Sequence, residues 1–267
     1  MNATLFLQTW RFQRIKLLAV LAGLAIWGFL MPVIYSQFGV QFKKLFDSGI
    51  IPKQFAEFGE GDVFSLPGSI SLGFIHPISL LLNGIFAVGF ASAAIAGERQ
   101  RGTLEVLLAR PISRRGVHAT LYISLLVFLG MSVGAILVGN IAGAVLFGVV
   151  DQLNLSRVPV LWLNGVLLFG AIGSIGLAAS VSFDRLTPAL GVTLTVVLVS
   201  YFLEILGSLW PDAKGLQPYS LFFYLKPRAI LTGQTDLFSF GLLLTITLAA
   251  IGYALAIFPR RDLAAPS

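Results

Sequence analysis

Apolar residues fall in six long runs, at about residues 15–35, 77–96, 119–147, 159–181, 188–210 and 237–258, with short polar stretches between them. Each run meets or exceeds the roughly 20 residues that an α-helix needs to cross a bilayer core. The run at 119–147 is longer than that, which predicts tilt or protrusion. The first run is also too long for a signal-peptide core, and no small-residue cleavage site follows it, so it reads as an uncleaved span.

The polar stretches have patterns of their own. Residues 2–14 mix apolar and basic side chains, with Trp10, Arg11 and Arg14, and predict a helix lying in the membrane interface. Residues 36–76 form the longest connection. They carry Lys43, Lys44, Lys53, Asp47, Glu57, Glu60 and Asp62, with Phe55 and Phe58 among them. Phe38, Phe42 and Phe46, at steps of four, predict an amphipathic helix along the outer surface. Apolar residues 64–75 are expected to dip into the interface. Residues 211–236 are broken by Pro211, Gly215, Pro218, Pro227 and Gly233, yet contain the apolar run 221–225. They predict short outer helices that re-enter the bilayer where protein shields the backbone. Thr187 and Pro188 suit the cap and first position of the fifth spanning helix.

Residues 97–118 are the most polar interruption and hold seven charged residues. Leu104, Leu107 and Leu108 fall at i, i+3, i+4 and predict a short helix over about 103–110. Gly102 would turn the chain into it, Thr103 would cap it and Pro111 would end it, with Ser113 capping the next helix.

Composition agrees. The chain has 267 residues, of which 57% are hydrophobic and only 11% charged, and its mean hydropathy is +0.89. Soluble domains carry about 25% charged residues. The expected class is an all-α integral membrane protein of one domain, with six transmembrane helices, an interfacial amino-terminal helix, a cytoplasmic surface helix and short outer re-entrant helices. There is no cysteine, so no thiol chemistry or disulfide is available. The net charge of +6 fits membrane topology rather than nucleic acid. Eleven basic residues, Arg11, Arg14, Lys16, Arg99, Arg101, Arg110, Arg114, Arg115, Arg185, Arg260 and Arg261, fall on one side of the six spans. Seven fall on the other, Lys43, Lys44, Lys53, Arg157, Lys214, Lys226 and Arg228, the first three of them in a long loop offset by acidic residues. The more basic side, with the termini and the 97–118 stretch, is therefore assigned to the cytoplasm.

Candidate chemistry is sparse. No G-x-x-x-x-G-K-[ST] occurs, so the chain has no P-loop of its own for ATP. His76 and His118 are predicted on opposite membrane faces, which excludes a shared metal site, and no nucleophile, base and acid fall together. The chain is not expected to be an enzyme or to hold a cofactor or metal. Glu204 is the acidic residue within a predicted span. It is a candidate for a transport pathway, or an interfacial residue two turns before Trp210. Asn83, Asn140 and Asn164 suit hydrogen bonds between helices, and Gly139 and Gly143 suit a helix–helix contact in a dimer.

Glu98, the run Arg-Gly-Thr-Leu-Glu at 101–105, Leu107, Leu108 and the run Pro-Ile-Ser-Arg at 111–114 resemble the loop after the second span in permeases of type-2 ABC exporters. The interfacial first helix, the six spans and the Pro- and aromatic-rich run at 217–224 extend the likeness along the chain. The resemblance implies that the short helix is a coupling helix which docks on an ATPase subunit. Thr103, Leu104, Leu107 and Leu108 would be its groove-filling face, open to solvent until the ATPase docks. Glu98, Arg99, Arg101 and Glu105 would form a charged rim, with Gly102 and Pro111 shaping the loop. Trp10, Arg11 and Arg14 would lie on the connecting helix, and residues 211–236 would close the pathway outside.

The resemblance also implies function and partners. A second permease subunit, identical or not, would complete the pathway, and ATP and Mg would be bound by the ATPase. Such a permease would sit in a bacterial or archaeal plasma membrane and export a lipidic, amphiphilic or drug-like substrate. The alternative is an ATP-independent channel or secondary transporter. It calls for ionisable residues deep in several spans, or two matching halves with broken helices. Only Glu204 qualifies, and no repeat is evident.

Overall fold

Lipid offers no hydrogen bonds to a peptide group, so apolar spans must satisfy their backbone internally. The computed structural model, which describes residues 2–49, 64–109 and 111–261, is helical throughout the spans, with no strand among those residues. Lys53, Phe55, Glu57, Phe58, Glu60, Asp62 and Arg110 lie outside the described residues. Among the described residues, five helices are long and apolar enough to cross a membrane, or six if one bent pair counts as a single span.

The first helix, α1 (Ala3–Asp47), is 45 residues long. At 1.5 Å per residue it extends about 68 Å, more than twice the hydrocarbon thickness. The separate interfacial helix expected at 2–14 is therefore not a separate element, and neither is the surface helix at 38–46. No glycine or proline falls between Ala3 and the span to interrupt the hydrogen-bond ladder, and Leu5, Leu17, Val20, Leu24 and Met31 lie buried along its length. Arg11 and Arg14 are exposed, whereas Trp10 is half-buried and packs its ring 6.0 Å from that of Phe128.

The expected second span is broken. Helix α2 (Leu66–Ile75) meets α3 (Pro77–Ala93) at a bend of 48°. His76 marks the bend, and its Nδ1 accepts from the Ile78 N–H at the start of α3. The segment 64–75 packs against α1: Trp27 Nε1 donates to the Gly73 carbonyl at 2.9 Å, and Ser69 Oγ to that of Met31 at 3.0 Å. Within α3, Ile85–Phe90 is wound as a π-helix. It brings Phe86 and Phe90 onto Phe128 at centroid distances of 5.1 and 5.5 Å.

Short helices α4 (Ala96–Gln100) and α5 (Leu104–Leu108) precede α6 (Arg114–Leu146), which Ser113 caps as expected by accepting from the Gly116 N–H. Helix α6 packs along α1 through glycines. A Cβ on Gly139 would lie 2.0 Å from the Ala25 carbonyl oxygen, one on Gly28 2.1 Å from that of Ile136, and one on Gly143 2.6 Å from that of Phe29. Gly139 and Gly143 thus face α1 of the same chain rather than a second copy, which corrects the expected dimer contact. Their missing side chains let two backbones touch.

Helix α7 (Val158–Ser182) is the most enclosed span, and α8 (Leu186–Leu209) follows a tight turn. The expected Thr187 cap is not formed, because α8 begins at Leu186. The Leu186 N–H, which would otherwise lack an acceptor, donates to Gln100 Oε1 at 2.9 Å. After α8 come 3₁₀ turns at Pro211–Tyr219 and Phe222–Tyr224, the short α9 (Pro227–Leu231), and α10 (Leu237–Ile257), capped by Asp236.

Two of the three asparagines link separate segments as expected. Asn83 Oδ1 accepts from Ser132 Oγ, joining α3 to α6. Asn164, buried in α7, donates to the Tyr224 carbonyl and accepts from the Lys226 N–H, both at 3.0 Å. Asn140 is buried on α6 with no partner among the described residues. Replacing Asn164 by Ala leaves two backbone groups of the 221–226 segment unsatisfied, at about 1–3 kcal/mol each if they stay buried. Asn164→Ala is expected to loosen this segment and to speed tryptic cleavage after Arg228. An unchanged cleavage rate would contradict the tether.

Candidate functional site

The site begins where α3 stops. At Ile95 the backbone leaves the helix (φ −122°), and the N–H groups of Ile95 and Ala96 both donate to Ser180 Oγ at 2.9 Å. Ser180 in turn donates to the Ser92 carbonyl at 2.8 Å. One hydroxyl on α7 therefore serves both sides of the break.

Beyond α4, Gly102 adopts φ +71°, a conformation that a side chain would strain, and folds the chain back. Thr103 consequently sits over the end of α4. Its hydroxyl bonds the Glu98 carboxylate at 2.5 Å, Arg101 pairs with the same carboxylate, and the Thr103 N–H donates to the Glu98 carbonyl. Thr103 precedes α5, but its side chain makes no capping bond. The expected cap fails because Glu98 captures the hydroxyl. Helix α5 ends at Leu108, before the exposed Pro111.

The leucine stripe faces inward. Leu104 is only 2% exposed within the main core, and Leu107 and Leu108 are half-buried against it. This corrects the expectation of an open leucine face. A single-turn helix holds its place only by burying its apolar side, and here the bundle covers it. The exposed side comprises Arg101, Gly102, Thr103, Glu105, Val106 and Ala109, with Val106 66% exposed. Val106 was missed by the periodicity. Its one signal was an apolar residue lying off the Leu104, Leu107, Leu108 stripe.

Arg99 is also turned away from the rim expected for it. Its side chain is 13% exposed, and Nη1 lies 2.7 Å from Asp184 Oδ1 in the α7–α8 turn. Nothing in the spacing of Asp184 announced that contact. Arg114 Nη1 donates to the carbonyls of Phe258, Pro259 and Arg261, so the end of α10 lies beside the start of α6. Asn2, just before α1, donates from its N–H to Thr120 Oγ1 on α6. The 97–114 stretch, the start of α1, the α7–α8 turn and the end of α10 thus share one basic end of the bundle.

Glu204 lies apart from this site. It is half-buried on α8 and accepts from Gln217 Nε2 at 3.1 Å, while that amide also reaches Ser208 Oγ. Its carboxylate is engaged in fixing the Pro211–Tyr219 turn to α8. Glu204→Gln is expected to keep the fold, with a change in stability no larger than that of an ordinary surface substitution, about 0.5 kcal/mol. A loss of folded protein would show that the charge itself holds the turn.

The profile of the ABC-2 family transporter protein matches residues 24–263, nearly the whole chain and all of the 97–114 stretch. The chain belongs to the ABC-2 transporter family. A comparison with curated proteins finds no match. As an ABC-2 family member the chain is a multi-pass membrane protein and a permease of an ABC transporter, and membership implies partnering with an ABC ATPase.

Proposed function

We propose that this ABC-2 permease is an exporter subunit driven by a separate ATPase, which docks on the exposed side of α5 and its flanking turn. The observation that carries the reading is the construction of that loop. Leu104 anchors it from beneath, Gly102 and the Glu98–Arg101–Thr103 network fix the turn, and Glu105, Val106 and Ala109 are left uncovered. A rigid short helix with a mixed apolar and charged outer side fits a groove on a soluble partner. ATP and Mg would be bound by that partner, and this chain would contribute no catalytic group or cofactor.

The concentration of Arg99, Arg101, Arg114, Arg115, Arg185, Arg260 and Arg261 at the basic end supports a cytoplasmic placement of that end and of both termini, in a bacterial or archaeal plasma membrane. Helix α8 leaves Leu194, Leu198, Val199 and Phe202 uncovered by protein, which suits lipid or a second permease subunit. The near absence of charge in the spans favours a lipidic, amphiphilic or drug-like cargo. The test is purification of the chain in mild detergent, with bound proteins identified by mass spectrometry. An ATPase subunit bearing a P-loop is expected. A chain that purifies alone and conducts ions in liposomes would overturn the reading.

A further inference from the structure

Three segments distant in sequence converge on one carboxylate. Asp184, in the α7–α8 turn, receives Arg99 from α4 and Arg261 from beyond α10, both at Oδ1. Arg261 Nη1 also donates to the Val181 carbonyl at 2.8 Å, at the end of α7. Beside these, Gln100 accepts from the Leu186 N–H. The ring closes through Arg114, whose three carbonyl acceptors join the end of α10 to the start of α6. Since α4 leads into the docking loop and α6 leads out of it, both roots of the loop are fastened to the same node.

An isolated surface ion pair holds little. This arrangement differs in two respects. One carboxylate answers two guanidinium groups in a network, and although the Asp184 side chain is 56% exposed, those of Arg99 and Arg261 are only 13% and 24% exposed, so both charges are drawn largely out of water beside it. Neutralising Asp184 would leave Arg99 and Arg261 facing each other across the vacated site.

We propose that Asp184 is a positioning residue that clamps the docking loop to the α7–α8 turn and to the end of α10, so that the three move as one body. Its part in transport rests on the docking reading above, because the loop has to be the place where the ATPase pushes. Through the clamp, displacement of α4 and α5 is delivered to α7, α8 and α10 as well as to their direct chain neighbours α3 and α6.

The chain has no cysteine, so spin labels can be placed at Val106→Cys and Thr187→Cys without removing native thiols. The full chain is reconstituted in nanodiscs and the inter-label distance distribution is recorded by EPR. One narrow distribution is expected with Asp184 and with Asp184→Glu. Asp184→Asn is expected to lose it, and Arg99→Gln to do the same, which keeps the test open if either variant folds poorly. A narrow distribution retained in a folded Asp184→Asn or Arg99→Gln chain would overturn the clamp. ATPase capture by the unlabelled chain is a separate readout. Its failure beside a narrow distribution that depends on Asp184 would remove the docking reading and leave the clamp. Normal capture beside a broad distribution in the parent would do the reverse.

Discussion

Gly139→Ala is expected to force α1 away from α6 and to destabilise the bundle by about 3 kcal/mol, the upper end of what overpacking costs. The added Cβ would sit 2.0 Å from the Ala25 carbonyl oxygen and 2.8 Å from the Phe29 nitrogen, both backbone atoms that no rotamer change can move. Gly28 and Gly143 make the same close approach to Ile136 and Phe29, so the strain cannot be relieved by sliding one helix along the other. Gly252→Ala is the control. Nothing lies within 4 Å of a Cβ there, on α10. It is expected to be neutral or stabilising by up to about 1 kcal/mol, the ordinary helix penalty of glycine. Melting of the detergent-solubilised variants, followed by size-exclusion chromatography, distinguishes them. Equal melting temperatures for the two alanine variants would contradict the seam.

The second large effect divides two neighbours on α5. Leu104→Asp places a carboxylate in an apolar core and removes a buried leucine. The lost packing alone costs about 2–5 kcal/mol, and the uncompensated charge adds to it. Little folded protein is expected. Val106→Asp, two residues on, is exposed and should change stability by no more than about 0.5 kcal/mol. The two together test which side of α5 is open. Comparable folded yields would show that Leu104 is not buried as described.

Much of this was legible in the chain. Apolar run length placed α6, α7, α8 and α10 within a few residues, because a span has to be long, apolar and internally bonded. Ser113 and Gly102 were readable from local stereochemistry, since each acts through its own backbone neighbourhood. Other features depend on partners far along the sequence. The unbroken α1 could not be read because its amphipathic ends resemble independent surface helices, and nothing local says whether a helix stops. The bend at His76 has a local cause, since Pro77 disfavours helical geometry in the residue before it, whereas the π-helical Ile85–Phe90 packs on Phe128. The inward turn of Leu104 is likewise a matter of packing. Periodicity identifies an apolar face but not what covers it, and the cover here is the bundle itself. Asp184 gave no motif, because its two arginines lie 85 and 77 residues away.

The central claim is that the exposed side of α5, and not its leucine stripe, receives the ATPase. The most direct measurement is the amount of P-loop ATPase subunit co-purifying with Val106→Asp relative to the parent chain, taken with the melting temperature of each. The account predicts an unchanged melting temperature and a loss of capture of about tenfold, the effect of 1.4 kcal/mol at an interface. Normal capture by a normally folded Val106→Asp chain would contradict it.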